Sequence, residues 1–346
     1  MHLLKCATKG VVNQMDVRFK SPKPADSQKL VSYFTLRPCK ACESGWVDYF
    51  IWSEYYRVRY EVADEKALLI VMKSKENEYF AALPYCRESD LPHYFEELKT
   101  FFNDVLEQPF KIFLADEEGV EALHLKENPD YVVREEEDFK DYIYDAQELR
   151  TLAGRKFQKK RNLINKFLKT YEGRWEYRTL CCSYRDEILA FLDSWFPNHE
   201  DEGADGSGEL VFERDGLRTI LIDCCCMNYR CGGIYIDGEL KAFSLGTYNA
   251  REEMACICVE KADPEIDGLY QLINRELIVH EFPEAKLVNR EDDMGLPGLR
   301  QAKLSYNPVM FERKYMIVQK NYDGKRVDTT DPYEEEVKAY KAAETD

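Results

Sequence analysis

Residues 231–281 read CGGIYIDGELKAFSLGTYNAREEMACICVEKADPEIDGLYQLINRELIVHE. Three extended runs, 231–236, 240–248 and 254–260, are followed by one helical stripe. Asp237-Gly238 joins the first two as a tight hairpin turn, because this pair tolerates the left-handed backbone that such turns need. From 268 to 281, Leu269, Leu272, Ile273, Leu277 and Ile278 recur at helical spacing. Downstream lie a strand at 286–289, a short helix at 299–306 before Pro308, and a last strand at 310–319. Upstream lie a strand at 174–180, a helix at 184–196 ending at Pro197, an acidic glycine-rich loop at 199–209 and a helix at 210–226.

The resulting order, β-α-α-β-β-β-α-β-α-β, predicts a mixed α/β sheet of the GNAT acyltransferase type. Residues 15–148 also read as mixed α and β. Strands are expected at 68–72, 79–83, 110–115, 131–134 and 142–144, with helices at 90–106 and 117–126. The acidic run 135–138 reads as a solvated turn. The organisation expected is an unstructured leader over 1–14, a first domain over 15–148, a second over 149–320 and a mobile acidic tail over 321–346.

The chain has 346 residues, enough for two domains, and 45% of them are apolar. That composition excludes a largely disordered chain. Its apolar runs are too short for a membrane span, which needs about 20 residues. The first residues lack the apolar stretch of a secretory signal, so the cytoplasm is the expected compartment. Several of the 12 cysteines are adjacent in sequence (Cys181-Cys182, Cys224-Cys225-Cys226). They read as reduced, buried thiols rather than a disulfide framework. Cys39 and Cys42 form a lone CxxC with no second pair, so no metal is expected from spacing.

The net charge of −17 opposes general nucleic-acid or anionic-membrane binding by the whole surface. One segment departs from it. From Arg150 to Lys169 there are eight basic residues and no acids, including Arg155, Lys156, Lys159, Lys160 and Arg161. Leu152, Phe157, Leu163, Ile164, Phe167 and Leu168 partly keep a helical period. The segment therefore reads as a helix with one buried and one cationic side. A solvated face is the plainer reading, but like charges along a helix repel each other, which favours an anion partner.

Residues 289–308, NREDDMGLPGLRQAKLSYNP, hold the densest chemistry. Gly295, Pro297 and Gly298 make a turn between a strand and a short helix, the kind of place where α/β sheets bind ligands. Arg290, Arg300 and Lys303 offer positive charge, and Arg300 and Lys303 lie one turn apart as a clamp for a phosphate or carboxylate. Glu291 or Asp293 can accept a proton from an attacking amine or hydroxyl, with Tyr306 as relay or acid. A structural loop with surface ion pairs is the alternative. P-loop, Rossmann, HExxH and GxSxG patterns are absent. The glycines 203, 206 and 208 lie among acids that would repel phosphate, and read as a flexible loop or lid.

NREDDMGLPGLRQAKLSYNP, with LRTLAGRKFQKKRNLINKF from Leu149 and EKADPEIDGLYQLINREL from Glu260, resembles the phosphatidylglycerol lysyltransferase C-terminal domain family. DYFIWSEYYRVRYEV from Asp48 is similar to the start of its stand-alone soluble members. The resemblance covers about residues 15–318. It implies two tandem GNAT-like domains, related to the Fem-type aminoacyltransferases, and transfer of an aminoacyl group from aminoacyl-tRNA to an acceptor. By that resemblance the basic helix meets the phosphates of tRNA or another polyanionic donor. Arg290, Glu291, Asp293, Arg300, Lys303 and Tyr306 line the transfer site. No cofactor is required, since the aminoacyl ester is already activated.

Two departures follow. The membrane-spanning region of the lipid-modifying members has no counterpart here, which leaves the acceptor open among small molecules, peptides and lipid head groups. Acetyl-CoA enzymes hold pyrophosphate on the amides of a glycine-rich loop after the fourth strand. Here that stretch is 261–268, where Pro264 removes an amide and Asp263, Glu265 and Asp267 oppose phosphate. The leading expectation is aminoacyl-tRNA-dependent transfer. A non-catalytic RNA- or nucleotide-binding protein, or an acyl-CoA-dependent N-acyltransferase with a non-standard loop, are the alternatives.

Overall fold

The computed structural model describes residue 15, residues 18–196 and residues 209–327. The leader over 1–14, the glycine-rich loop and most of the acidic tail lie outside the described residues. In chain order the strands are β1 Arg59–Ala63, β2 Ala67–Lys73, β3 Tyr79–Ala81, β4 Lys111–Asp116, β5 Tyr131–Glu135, β6 Asp141–Asp145, β7 Trp175–Leu180, β8 Arg230–Ile236, β9 Glu239–Asn249, β10 Met254–Ala262, β11 Leu287–Asn289, β12 Met310–Glu312 and β13 Lys314–Gln319. A short ribbon, Asn321–Tyr322 with Lys325–Arg326, follows.

Two compact units result, each assembled from separate stretches of chain. Among the described residues, the first takes those up to 22, those in 53–139 and those from 313 to 327; the second takes those in 23–52 and 140–312. A single cut at 148/149 does not follow this division. Residues 310–319, expected as one strand, are two: β12 pairs with β6, whereas β13 inserts between β4 and β5.

The first unit has a mixed sheet in the order β1-β2-β3-β4-β13-β5, with β3 and β4 parallel. The run ALLIVMK of β2 is buried from Ala67 to Met72. The helix Leu91–Thr100 covers the sheet with Leu91, Tyr94, Phe95 and Leu98, and continues for five residues as a π-helix that buries Phe101 and Phe102. Burying side chains of this size contributes about 2 kcal/mol each. The acidic run is not wholly solvated: Glu136 is buried and accepts from Arg134 Nε at 3.2 Å.

The second unit has a sheet in the order β12-β6-β11-β10-β9-β8-β7. Asp237-Gly238 makes the expected hairpin turn. One face is covered by the helices Ala146–Thr151, Gln158–Thr170 and Leu269–His280, the other by Trp46–Ile51, Arg185–Trp195 and Glu209–Ile222. The helix Trp46–Ile51 was not legible beforehand; WVDYFI is apolar on nearly every side and shows no stripe. Gly216 lets the helix Glu209–Ile222 approach it closely, because a Cβ there would meet the Ile51 carbonyl oxygen at 2.0 Å.

The basic segment is not one helix. Ala146–Thr151 ends at Leu152 and a short 3-10 turn, Arg155–Phe157, leads into Gln158–Thr170. Gly154, at φ 84°, makes the break.

The adjacent cysteines correct the reading, since Cys181 and Cys225 are free but exposed. Cys39, Cys42, Cys86, Cys231 and Cys256 are buried free thiols. Cys182 and Cys224 instead form a disulfide across 42 residues of sequence, with Cys225 Sγ 3.0 Å from Cys182 Sγ. The turn after β7 and the turn after the helix Glu209–Ile222 bring these sulfurs together. Among the described residues no helix is long and apolar enough to cross a membrane.

Candidate functional site

β10 and β11 are parallel neighbours for only three residue pairs, Met254–Leu287, Ala255–Val288 and Cys256–Asn289. Beyond Cys256 the pairing stops and β10 runs on to Ala262. The pairing of β10 with β9 also shifts between Ile257 and Val259, a bulge at Cys258. The two strands thus part where Cys258 and Glu260 lie on one side and Arg290 and Glu291 on the other.

Arg290 serves the face covered by the basic helix. Its Nη2 donates to Glu260 Oε1 at 3.1 Å, and Glu260 also accepts from Asn274 Nδ2 at 2.8 Å. Its Nη1 is closed off from solvent with no hydrogen-bond acceptor. The guanidinium lies 4.7 Å from the centre of the Tyr306 ring, and Lys160 Nζ lies 4.0 Å from the same centre. Two cations therefore share one aromatic ring. Burial, and then repulsion from Arg290, lower the Lys160 ammonium to about 8 from 10.5, against the pull of Glu260. Burial holds the Tyr306 hydroxyl well above the usual tyrosine range, so it stays protonated and can donate.

Other basic residues are occupied. Lys156 pairs with Glu148 at 2.6 Å and Lys166 pairs with Asp267. Arg161 donates to the carbonyls of Leu152 and Gly154, and Arg150 to those of Phe282 and Ala285. Partners from elsewhere in the fold thus relieve part of the repulsion read from the sequence. Arg155 and Lys159 are exposed and Lys160 is half-buried.

The loop after β11 differs from the expected clamp. Asp293 is fully buried. Its Oδ1 accepts from Gly295 N at 2.9 Å and Arg300 Nη2 at 2.7 Å; its Oδ2 accepts from Arg300 Nε at 2.8 Å and from the Tyr142 hydroxyl. Burial alone would raise this carboxyl, but the Arg300 and Tyr142 hydrogen bonds outweigh it and hold it below its ordinary value. A carboxylate so fully engaged is a poor proton acceptor. Asp293 and Arg300 instead fix the turn through Gly295 into the helix Pro297–Leu304. Lys303 points inward, with Nζ on the carbonyls of Arg290 and Asp292, so it locks the loop rather than presenting charge.

Glu291 serves the opposite face of the sheet, near Asp48, Cys256 and Cys258. Burial, then the Asp48 carboxylate, push it well up. Asp48 carried no signal in the sequence, because it lies more than 200 residues from the strands it joins.

Only the end of the stretch 261–268 is closely packed, since Pro264, Glu265 and Asp267 are exposed. Gly268, at φ 83°, leads into the helix Leu269–His280, and a Cβ there would meet the Leu163 carbonyl oxygen at 2.4 Å. The basic helix thus packs its backbone against Gly268, the last residue of that stretch.

Comparison with known proteins agrees with this architecture. Residues 41–318 match the family described as phosphatidylglycerol lysyltransferase, C-terminal. The chain is similar to a crystal structure of a conserved protein of unknown function from Bacteroides thetaiotaomicron, at 28% identity, 87% coverage of this chain, 99% of that one and a TM-score of 0.79. It shares its fold with L-PGS from Bacillus licheniformis, at 16% identity, 88% and 95% coverage and a TM-score of 0.63. An uncharacterized protein of Mycoplasmoides gallisepticum is 27% identical over 208 residues, 60% of this chain and 64% of that protein. The chain therefore spans a little under two thirds of that relative's length. The fold class is the expected one, mixed α/β, with two mixed sheets in two units.

Proposed function

The chain belongs to the phosphatidylglycerol lysyltransferase C-terminal family, and on that premise we propose that it moves an aminoacyl group from aminoacyl-tRNA to an amine or hydroxyl acceptor. The observation that carries this reading is the shared Tyr306 ring. It joins the basic helix, through Lys160, to the segment after β11, through Arg290. A phosphate or terminal ribose of the donor brought to this place would meet two cations and one hydroxyl donor.

The acceptor nitrogen or oxygen attacks the ester carbonyl and forms the new C–N or C–O bond. The ester C–O bond to the ribose breaks, and the acceptor's proton ends on the ribose oxygen. Tyr306, protonated throughout, donates a hydrogen bond to the oxygen where charge develops. The ester is already activated, so positioning supplies much of the rate and no strong base is needed. This fits the engagement of both Asp293 oxygens in structural bonds. Acyl-CoA is disfavoured as donor, since the backbone of the basic helix crowds Gly268.

The test is transfer of label from aminoacyl-tRNA to a panel of amine and hydroxyl acceptors. Wild type should move label, and Arg290→Met should reduce the rate at least about tenfold. The locked state of Asp293 and Lys303 favours a second reading, a non-catalytic RNA-binding protein. Tight tRNA binding with label left on the tRNA for every acceptor would select it.

A further inference from the structure

On the face of the second sheet away from the basic helix, four ligating groups converge. They are the carboxylates of Asp48 and Glu291 and the sulfurs of Cys256 and Cys258. One ligand atom from each lies within 4.8 Å of the others. They come from three places: the helix Trp46–Ile51, the bulged stretch of β10 and the loop after β11. Glu291 Oε1 is closed to solvent and accepts no hydrogen bond. A carboxylate oxygen enclosed without a donor is costly unless something positive meets it. Lys303, one basic group close enough to act on Glu291, already gives its Nζ to two backbone carbonyls.

We propose that Asp48, Cys256, Cys258 and Glu291 bind one divalent cation of borderline softness, Zn2+ being the representative. Two thiolates and two carboxylates make a four-ligand set for tetrahedral zinc. Zinc–sulfur bonds of about 2.3 Å place two sulfurs about 3.8 Å apart across a tetrahedron, and the oxygens sit closer. Four atoms within 4.8 Å of one another reach that spacing with small inward movements of side chains. Mg2+ and Ca2+ are excluded as occupants by ligand type, since both take oxygen shells of six or more. Binding releases the two thiol protons to solvent as the Zn–S bonds form, with no change of oxidation state. The ion would tie the helix Trp46–Ile51 to β10 and to the loop that carries Arg290 and Asp293. This proposal does not depend on the aminoacyl-transfer reading.

The full chain is stripped with a chelator under reducing conditions, reloaded with Zn2+ alone, desalted and analysed for metal content. X-ray absorption on the loaded wild type reads the ligand set. Expected are one tightly held Zn2+ per chain and a first shell of two sulfurs and two oxygens. The group of Cys182, Cys224 and the exposed Cys225 is the competing site, so Cys225→Ser serves as control. Cys225→Ser should keep the ion, whereas Cys258→Ala and Glu291→Gln should each weaken it by at least about tenfold. No retained zinc overturns the proposal. So does a first shell of three or four sulfurs, or loss of zinc in Cys225→Ser with retention in Cys258→Ala. The wild-type shell decides the matter if the Cys258 variant does not fold.

Discussion

Lys160 Nζ lies 4.0 Å from the centre of the Tyr306 ring, although 146 residues separate the two in sequence. The contact ties the most basic segment of an acidic chain to the segment that closes the split between β10 and β11. Polyanion binding by this protein should therefore centre on Lys160, Arg290 and the exposed Lys159.

The pH dependence of such binding follows from Lys160. Its ammonium titrates near 8 without ligand, and a bound phosphate would raise that value. Binding should take up protons around pH 8 to 9, and affinity should fall as pH rises through that range. Lys160→Arg should flatten the profile, because arginine keeps its charge. Calorimetry in buffers of different ionisation enthalpy measures the uptake. For stability the sign is opposite. The unfolded lysine keeps its proton up to 10.5, so the unfolded state binds more protons between about 8 and 10.5. This group's contribution to stability is therefore unfavourable below about 8 and eases across that window.

Asp293→Asn separates a structural from a basic role. The substitution removes the charge that pairs with Arg300, itself more than a third exposed. A loss of about 2 kcal/mol is expected, below the value for a fully buried pair. Urea unfolding checks it. Because the Asp293 carboxyl is held below its ordinary 3.8, its stabilisation is present above about pH 4 and is lost as the pH falls further. An unchanged midpoint with lost transfer would restore Asp293 as a base.

Gly216→Ala sets helix propensity against packing. Propensity alone predicts a gain of about 1 kcal/mol in a helix interior. The added Cβ would meet the Ile51 carbonyl oxygen at 2.0 Å and its carbonyl carbon at 2.7 Å, so a loss of about 2 kcal/mol is expected instead. Thermal unfolding decides the sign.

Much of the second sheet was legible because its hairpin turn, its alternating strands and the stripe of Leu269–His280 are local signals. The family was legible from motif-length stretches, and its fold followed. The break in the basic helix was signalled by Gly154, but the charge pattern on either side drew attention from it. The division of 310–319 had no signal, since neither glycine nor proline stands between Glu312 and Lys314. Inward and outward were hardest to read at the site. Arg300 and Lys303 share a helix with period three, yet Lys303 is buried on backbone carbonyls and Arg300 is held by Asp293. Asp48 and Glu291 meet only through tertiary structure, so spacing could not suggest a shared ligand.

The most direct test of the central claim is a salt titration of tRNA binding, comparing wild type with Lys160→Met, which keeps the apolar stem and removes the charge. Wild-type affinity should fall steeply with salt, and the variant should bind more weakly with a slope reduced by about one. Affinity and slope identical in the two proteins, or no binding by wild type at low salt, would contradict the account.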